Sequence, residues 1–453
     1  MNELHAPKVL INETTTAEMS TSQASPQSPT RDLQNTQLTP TITGTPFKQG
    51  SSTKLPWTTN AHCWNLTIDA MGAEMKDHCV GLVIVKEFLT NLPALTFKSG
   101  IFNNTIHVKK ELQAYEPFIA AIQSFGPALS FVNTSASQDT DISATFSFTV
   151  KPDISVYADG TSHGCNVSTA EVIIKFKWDA IHDAFCDTMK GIDTLGQITS
   201  YAAAQLGAQY RTHLISILIV ETFARIIRYM EGAIVTHTFN YNKDPHLADF
   251  FRCFSQVLPA LHGVDTSVTP ASSEEAIRAW LRLNLCANVP MFMVNIPAAE
   301  GDGSFRLIIP APVPRGLSPV CCRTRTCPAF EPVHYTIVMF KDSWWVALPD
   351  ILPVGVTYKH LKNANVRNVA TCIACHDIPS LPQQHTQTLK FANASWACHH
   401  GCLIPHIHHR LALNLVGKPL AQFVNSRQVV EAVRDALIGT EHTVNEMVQD
   451  CNS

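Results

Sequence analysis

The sequence predicts a chain of two classes in series, an α/β unit followed by an α+β unit, behind a leader that builds no core. Three observations predict it. Runs of alternating β-branched and aromatic residues between Ala144 and Phe239 enclose a helical stretch, Gln197 to Ala208. Further strands, Pro290 to Ile296, Ser304 to Ile309 and Tyr335 to Lys341, follow downstream. Finally, 453 residues at 45% hydrophobic content exceed one ordinary domain and suffice for sizeable cores. The expected division is a leader over residues 1–55, a first globular unit over 56–265 and a second over 266–453.

From Asn12 to about Thr53 the chain is rich in Thr, Ser, Gln and Pro with no sustained apolar period, so ordering it would not repay its entropy. A disordered, solvated leader is expected, with Ser28-Pro29 and Thr39-Pro40 as the phosphorylation sites it would offer. The formal charge of −4 argues against a strongly basic nucleic-acid binder, while leaving room for local basic patches. Fourteen cysteines lie scattered, Cys321 and Cys322 adjacent, behind no secretory signal, which predicts free thiols in a reducing, cytoplasmic or nuclear setting. The longest apolar run, Leu214 to Val220, is too short to cross a bilayer. The Asn-x-Ser/Thr triplets at Asn65, Asn103, Asn133, Asn166 and Asn393 then read as chance matches.

Each element has its own signal. Ala70 to Leu92 is compatible with helix or buried strand. Ala114 to Phe125 carries Tyr115, Phe118, Ile119 and Ile122 at helical spacing and stops at Gly126-Pro127. Ala144 to Val150 and Ile154 to Tyr157 read as strands, and Ala158 to Ser168, with Asp159-Gly160, as the turn after them. Glu171 to Trp178 alternates Val172, Ile174 and Phe176 against Ile173, Lys175 and Lys177. Leu195, Ile198 and Tyr201 give Gln197 to Ala208 a buried helical face. His213 to Val220, Ala224 to Tyr229 and Ala233 to Phe239 read as a meander, and Pro245 to Ser255 as a closing helix. Asp302-Gly303 turns the next hairpin.

Pro152-Asp153, the strand Glu171 to Trp178 and the pair Gln197 and Tyr201 together resemble the PD-(D/E)xK nuclease core. In that reading Asp153 and Glu171 hold Mg²⁺, Lys175 or Lys177 serves the attacking water or phosphate, and Gln197 and Tyr201 support them. The pattern departs at one place. Lys175 stands where relatives carry a carboxylate in Ile-Glu-Phe-Lys-Trp, and Glu171 lies about two pleats away on the same face, so it would substitute only through a bulge.

The block Asp193-Thr194-Leu195-Gly196-Gln197-Ile198-Thr199-Ser200-Tyr201, continuing to Tyr210-Arg211-Thr212-His213, resembles the fungal-type protein kinase family. Ala224 to Tyr229 and His262-Gly263-Val264-Asp265-Thr266-Ser267-Val268 carry the same resemblance, which covers roughly Ala144 to Leu437. It implies a restriction-endonuclease-like first domain, then a kinase-like small lobe and the start of a large lobe. It also implies ATP and Mg²⁺ as cofactors, with Lys341 as the nucleotide-binding lysine, a point charge reaching phosphate from a rigid strand. Three departures follow. Val354-Gly355-Val356-Thr357-Tyr358 lacks the family's acidic partner for Lys341, Arg323 to Phe330 has no glycine where a phosphate loop is expected, and Arg410 to Leu420 with Val429 to Ile438 resemble only the hinge and first large-lobe helix before Ser453. The chain has no His-Arg-Asp and no Asp-Phe-Gly, so it is expected to be a truncated, non-catalytic relative. The competing readings are a pseudokinase or module that binds a protein partner, and a nuclease acting on nucleic acid.

Cys372-Ile373-Ala374-Cys375-His376 matches the haem-attachment pattern without the exported context that attachment needs. Cys372 and Cys375 also have zinc-ligand spacing, with Cys398 and Cys402 as the second pair. Against zinc, the kinase resemblance puts Cys372 to His376 on a buried lobe strand, where cysteine is a small hydrophobe. His406, His408 and His409 are expected to be structural, and Trp178, Trp344, Trp345 and Trp396 to pack in cores.

Overall fold

The computed structural model describes residues 79–81, 97–140, 149–160, 164–186, 188–230, 232–297, 303–313, 323–348, 351–378, 384–386, 405–418 and 422–450. All of them belong to one compact unit, Gly44–Ser453. The leader, most of the Ala70 to Leu92 run and the body of the Ala144 to Val150 strand lie outside the described residues. Mixed helix and strand content in two sheets agrees with the expected class at that coarse level. No helix among the described residues is long and apolar enough to cross a membrane.

The first sheet contains β1 (Cys79–Gly81), β2 (Leu129–Asn133), β3 (Ile154–Ala158), β4 (Val172–Lys177), β5 (Leu214–Val220), β6 (Phe223–Met230), β7 (Gly232–Val235) and β8 (Phe239–Asn240). Its order is β1-β7-β6-β5-β4-β3-β2, with β8 pairing β6. Helix α1 (Tyr115–Ile122) precedes β2, α2 (Met189–Ala208) joins β4 to β5, and α3 (His246–Phe254) follows β8. Because β4 and β5 are parallel, their connection must cross over the sheet, and α2 makes that crossing. Both faces are therefore covered, and β5 is buried along its whole length. Val172, Ile174 and Phe176 pack with Tyr115 and Phe118 of α1 and Phe250, Phe251 and Phe254 of α3, while Leu214 and Leu218 meet Leu195, Ile198, Ala202 and Leu206 of α2.

Two boundaries differ from expectation for local reasons. Helix α2 starts at Met189, two turns before Gln197, because Thr188 caps it by accepting the Gly191 N–H. Gly191, a poor helix former, sits there because a Cβ would lie 2.5 Å from the Asp183 carbonyl oxygen. The strand expected from Ala233 to Phe239 breaks after Val235, where the Thr236 hydroxyl oxygen accepts the Ile226 N–H.

The second sheet contains β9 (Val268–Pro270), β10 (Met291–Pro297), β11 (Ser304–Pro310), β12 (Arg325–Glu331), β13 (Thr336–Val346), β14 (Cys372–Asp377) and β15 (His406–Leu413), ordered β14-β15-β13-β12-β11-β10-β9 and antiparallel throughout. Helices α4 (Ser273–Leu283) and α5 (Val354–Asn363) lie on one face, against Ile308 and Phe330 and against Leu411 and Leu413 respectively. Helix α6 (Ser426–Asp450) ends the described chain. Arg325 to Phe330, the stretch without the glycines of a phosphate loop, forms β12 and pairs with β13. One expectation is corrected. The Cys372 to His376 strand lies at the sheet's edge and not in its interior; Cys375 is buried and Cys372 half-buried.

Candidate functional site

The start of β3 brings Asp153 beside the middle of β4. Its Oδ1 accepts from the Lys175 ammonium at 2.8 Å and its Oδ2 from the Phe176 N–H at 2.7 Å. Lys177 donates to Gln197 Oε1 at 3.1 Å, and Gln197 donates onward to Asp193 Oδ2 at 3.0 Å, one turn earlier on α2. Tyr201 donates to the Lys151 carbonyl at 2.9 Å. From the helical turn Glu111–Gln113, Glu111 accepts from the Tyr115 hydroxyl at 2.7 Å. The sequence motif residues Asp153, Lys175, Lys177, Gln197 and Tyr201 thus come together. Glu111, Tyr115 and Asp193 join them without having been expected.

The charges in this cluster are mutually determined. Burial raises the Glu111 carboxyl above its ordinary range, and the neighbouring Asp153 raises it further. Burial works to lower Lys175, but Asp153, then Tyr201 and Glu111, outweigh it and raise the ammonium above its ordinary value. Lys177 is lowered by burial and by Lys175 beside it. The Lys175 and Asp153 side chains are 11% and 7% exposed, so their ion pair lies beyond easy screening by salt.

Glu171 does not join this cluster. The β4–β5 register runs without interruption from Val172↔Ile215 to Lys177↔Val220, so no bulge brings Glu171 forward. Its carboxylate binds Arg211 at 2.8 Å and lies 3.4 Å from His262. Burial would raise its pKa, but those two partners bring it down to about 2. Asp153 therefore pairs with Lys175 where the motif expects a carboxylate on β4, and the carboxylate that does come near it is Glu111, held by Tyr115. The expected Asp153–Glu171 pair for Mg²⁺ does not form, and no group of three or more His, Cys, Asp and Glu among the described residues is arranged to hold a metal ion.

The implied nucleotide site is also incomplete. Successive side chains on β13 alternate, so Phe340, Asp342 and Trp344 share one face while Lys341 takes the face of α5. Helix α5 offers Lys359, His360 and Lys362 and no carboxylate. A cavity of about 290 Å³ is lined by Tyr210, Pro310, Arg325 and Phe340, on the face away from Lys341. Helix α5 therefore does not supply the carboxylate that the kinase resemblance pairs with the nucleotide-binding lysine.

Between the sheets lies a network with no single sequence signature. Arg410, fully buried, donates to Asp265 at 2.6 Å and to Ser267 at 2.8 Å, with Asp342 3.6 Å away. His408 hydrogen-bonds both Asp342 and Gln384 and stacks on Trp344 at 4.7 Å. Arg323 sits over the Trp344 ring at 4.6 Å and donates to the Thr212 carbonyl at 3.1 Å. Arg325 donates to the carbonyls of Leu206 and Gln209 at the end of α2. His408 is thus tied into this network by both ring nitrogens. Trp344 is buried and Trp345 and Trp178 half-buried; Trp396, Cys398 and Cys402 lie outside the described residues.

Comparison with protein-family models, curated proteins and solved structures finds no match to the chain. The kinase and nuclease resemblances rest on the motifs quoted above.

Proposed function

We propose that this chain is a kinase-like interaction module that carries neither phosphoryl transfer nor nuclease chemistry of its own and works by binding a protein partner. The observation that carries the reading is the Lys175–Asp153 ion pair. An ammonium held 2.8 Å from the aspartate satisfies the charge that a catalytic metal would otherwise satisfy. The sequence of α5 supports the same reading, because it carries Lys359, His360 and Lys362 where the kinase resemblance expects an acidic residue. For binding, α6 presents Val430, Val433 and Leu437, spaced for one helical face and 67%, 49% and 64% exposed.

The test is a paired set of activity assays with Mg²⁺ and with Mn²⁺. Single- and double-stranded DNA and RNA should show no cleavage above an Asp153→Ala control, and ATP with generic protein substrates no phosphoryl transfer above a Lys341→Met control. Cleavage that depends on Asp153, or transfer that depends on Lys341, would sink the reading.

A further inference from the structure

Cys372 and Cys375 play no part in the function proposed above, and β14 has a fault between them. Side chains three apart on a regular strand point to opposite faces. Here the pairing with β15 shifts between Cys372 and Ala374, so that Cys372 stands opposite Leu413 and Cys375 opposite Leu411. Ile373, the extra residue, is left exposed, and both sulfurs come to the face that carries α5. The Cys372 thiol donates to the Ala374 carbonyl at 3.4 Å, within the bulge itself.

His409 supplies an independent observation. It lies opposite Asp377, its Nδ1 2.8 Å from Asp377 Oδ1, and Trp345 Nε1 donates to that same oxygen at 3.0 Å. This fixes the ring and leaves Nε2 buried without a hydrogen-bond partner, on a side chain only 4% exposed. A Cβ built on Gly355 would lie 2.4 Å from Cys375 Sγ and 3.1 Å from His409 Nε2, so thiol and orphan nitrogen border the same spot. That spot is the first turn of α5, whose end no side chain caps, and the glycine lets its backbone approach the sulfur.

We propose that Cys372 and Cys375 form a redox-active dithiol that reacts with small hydroperoxides, with Cys375 as the attacking sulfur, His409 as its base and Cys372 as the resolving thiol. His409 Nε2 takes the Cys375 proton, and the thiolate attacks the near peroxide oxygen. The S–O bond forms as the O–O bond breaks, and the departing hydroxide or alkoxide takes the proton back from the imidazolium. Cys372 then attacks the sulfenic sulfur; the S–S bond forms, the S–O bond breaks, and the Cys372 proton leaves with the hydroxide as water. The dithiol gives up two electrons, and hydrogen peroxide becomes two waters.

Charge and access agree with these roles. The neighbouring Cys372 lowers the Cys375 thiol against the opposing effect of burial, and His409, Lys359 of α5 and His376 lower it further. Asp377 acts on the same face through His409, and Tyr358 of α5 packs beside Cys372. Cys375 is 9% exposed, so the proposed reaction is restricted to small hydroperoxides.

The experiment treats the full chain with one equivalent of hydrogen peroxide, followed by alkylation and peptide mass spectrometry. The peptide holding both cysteines should lose two hydrogens, and buried Cys375 should oxidise at least about tenfold faster than the exposed Cys286. Cys372→Ser should stop at a sulfenic acid on Cys375 that dimedone traps. His409→Gln should slow the oxidation about tenfold and make it climb with pH, where the wild-type rate is flat between about pH 7 and 9. The wild-type comparison with Cys286 needs no variant, so a variant that misfolds leaves the test intact. Oxidation of Cys375 no faster than Cys286, first oxidation at Cys372, or an unchanged rate and pH profile in His409→Gln would each overturn the proposal.

Discussion

Arg410→Ala is expected to cost about 3–5 kcal/mol in urea unfolding, enough to abolish a cooperative transition in a marginally stable chain. The guanidinium is 0% exposed and binds Asp265, with Asp342 beside it, so truncation strands two carboxylates in the interior. Arg410→Lys is expected to recover only part of the loss, because one ammonium cannot reproduce the fork that reaches Asp265 and Ser267 together. The same network sets an acid limit. Burial would raise Asp265 and Asp342, but Arg410 and His408 outweigh it for both and hold them below the ordinary carboxylate value of 3.8. A depressed folded pKa contributes stability that is complete above the unfolded value and is lost as pH falls through the folded one. Stability should therefore fall on acidification from about pH 4 downward, and Arg410→Ala should flatten that slope.

Lys175→Glu carries the second large effect. Reversing the charge puts a carboxylate against Asp153, with Glu111 already pushed upward nearby. In metal-free buffer the variant should lose about 3 kcal/mol or more, since a buried attraction becomes a repulsion. The new carboxylate should titrate high, so the variant gains stability as pH is lowered from about 7 to 5, more steeply than the wild type. Mn²⁺ should restore much of the loss by bridging the two carboxylates, raising Tm in proportion to the logarithm of its concentration. A variant as stable as wild type without metal would contradict the assigned role of Lys175.

The strands were readable because β-branched alternation is local: β4, β5 and β6 fall within a residue or two of the runs that announced them. Helix α4 has a weak sequence signal although Ser272 and Glu275 form a capping box at its start, because it is polar on average and only a narrow apolar face, Ala276 and Ala279, is buried. At the site, Asp153, Lys175, Lys177, Gln197 and Tyr201 could be grouped from a motif. Glu171 was misplaced because sharing a strand face says nothing about which neighbour is closer, and Arg211 and His262 arrive from elsewhere in the chain. Glu111 had no signal, since only the packing of α1 against β4 brings it near. Asp265 and Arg410 are separated by 145 positions, and only the meeting of two sheets pairs them. The bulge that brings Cys372 and Cys375 to one face was hidden by a spacing that reads equally well as zinc, haem or core.

Whether the Asp153 centre takes a divalent cation is measured directly by titrating the wild-type chain with Mn²⁺, read as free ion by electron paramagnetic resonance. No saturable binding tighter than about 1 mM is expected, with Asp153→Ala indistinguishable from wild type. One equivalent of Mn²⁺ bound at micromolar concentration and lost in Asp153→Ala would contradict it.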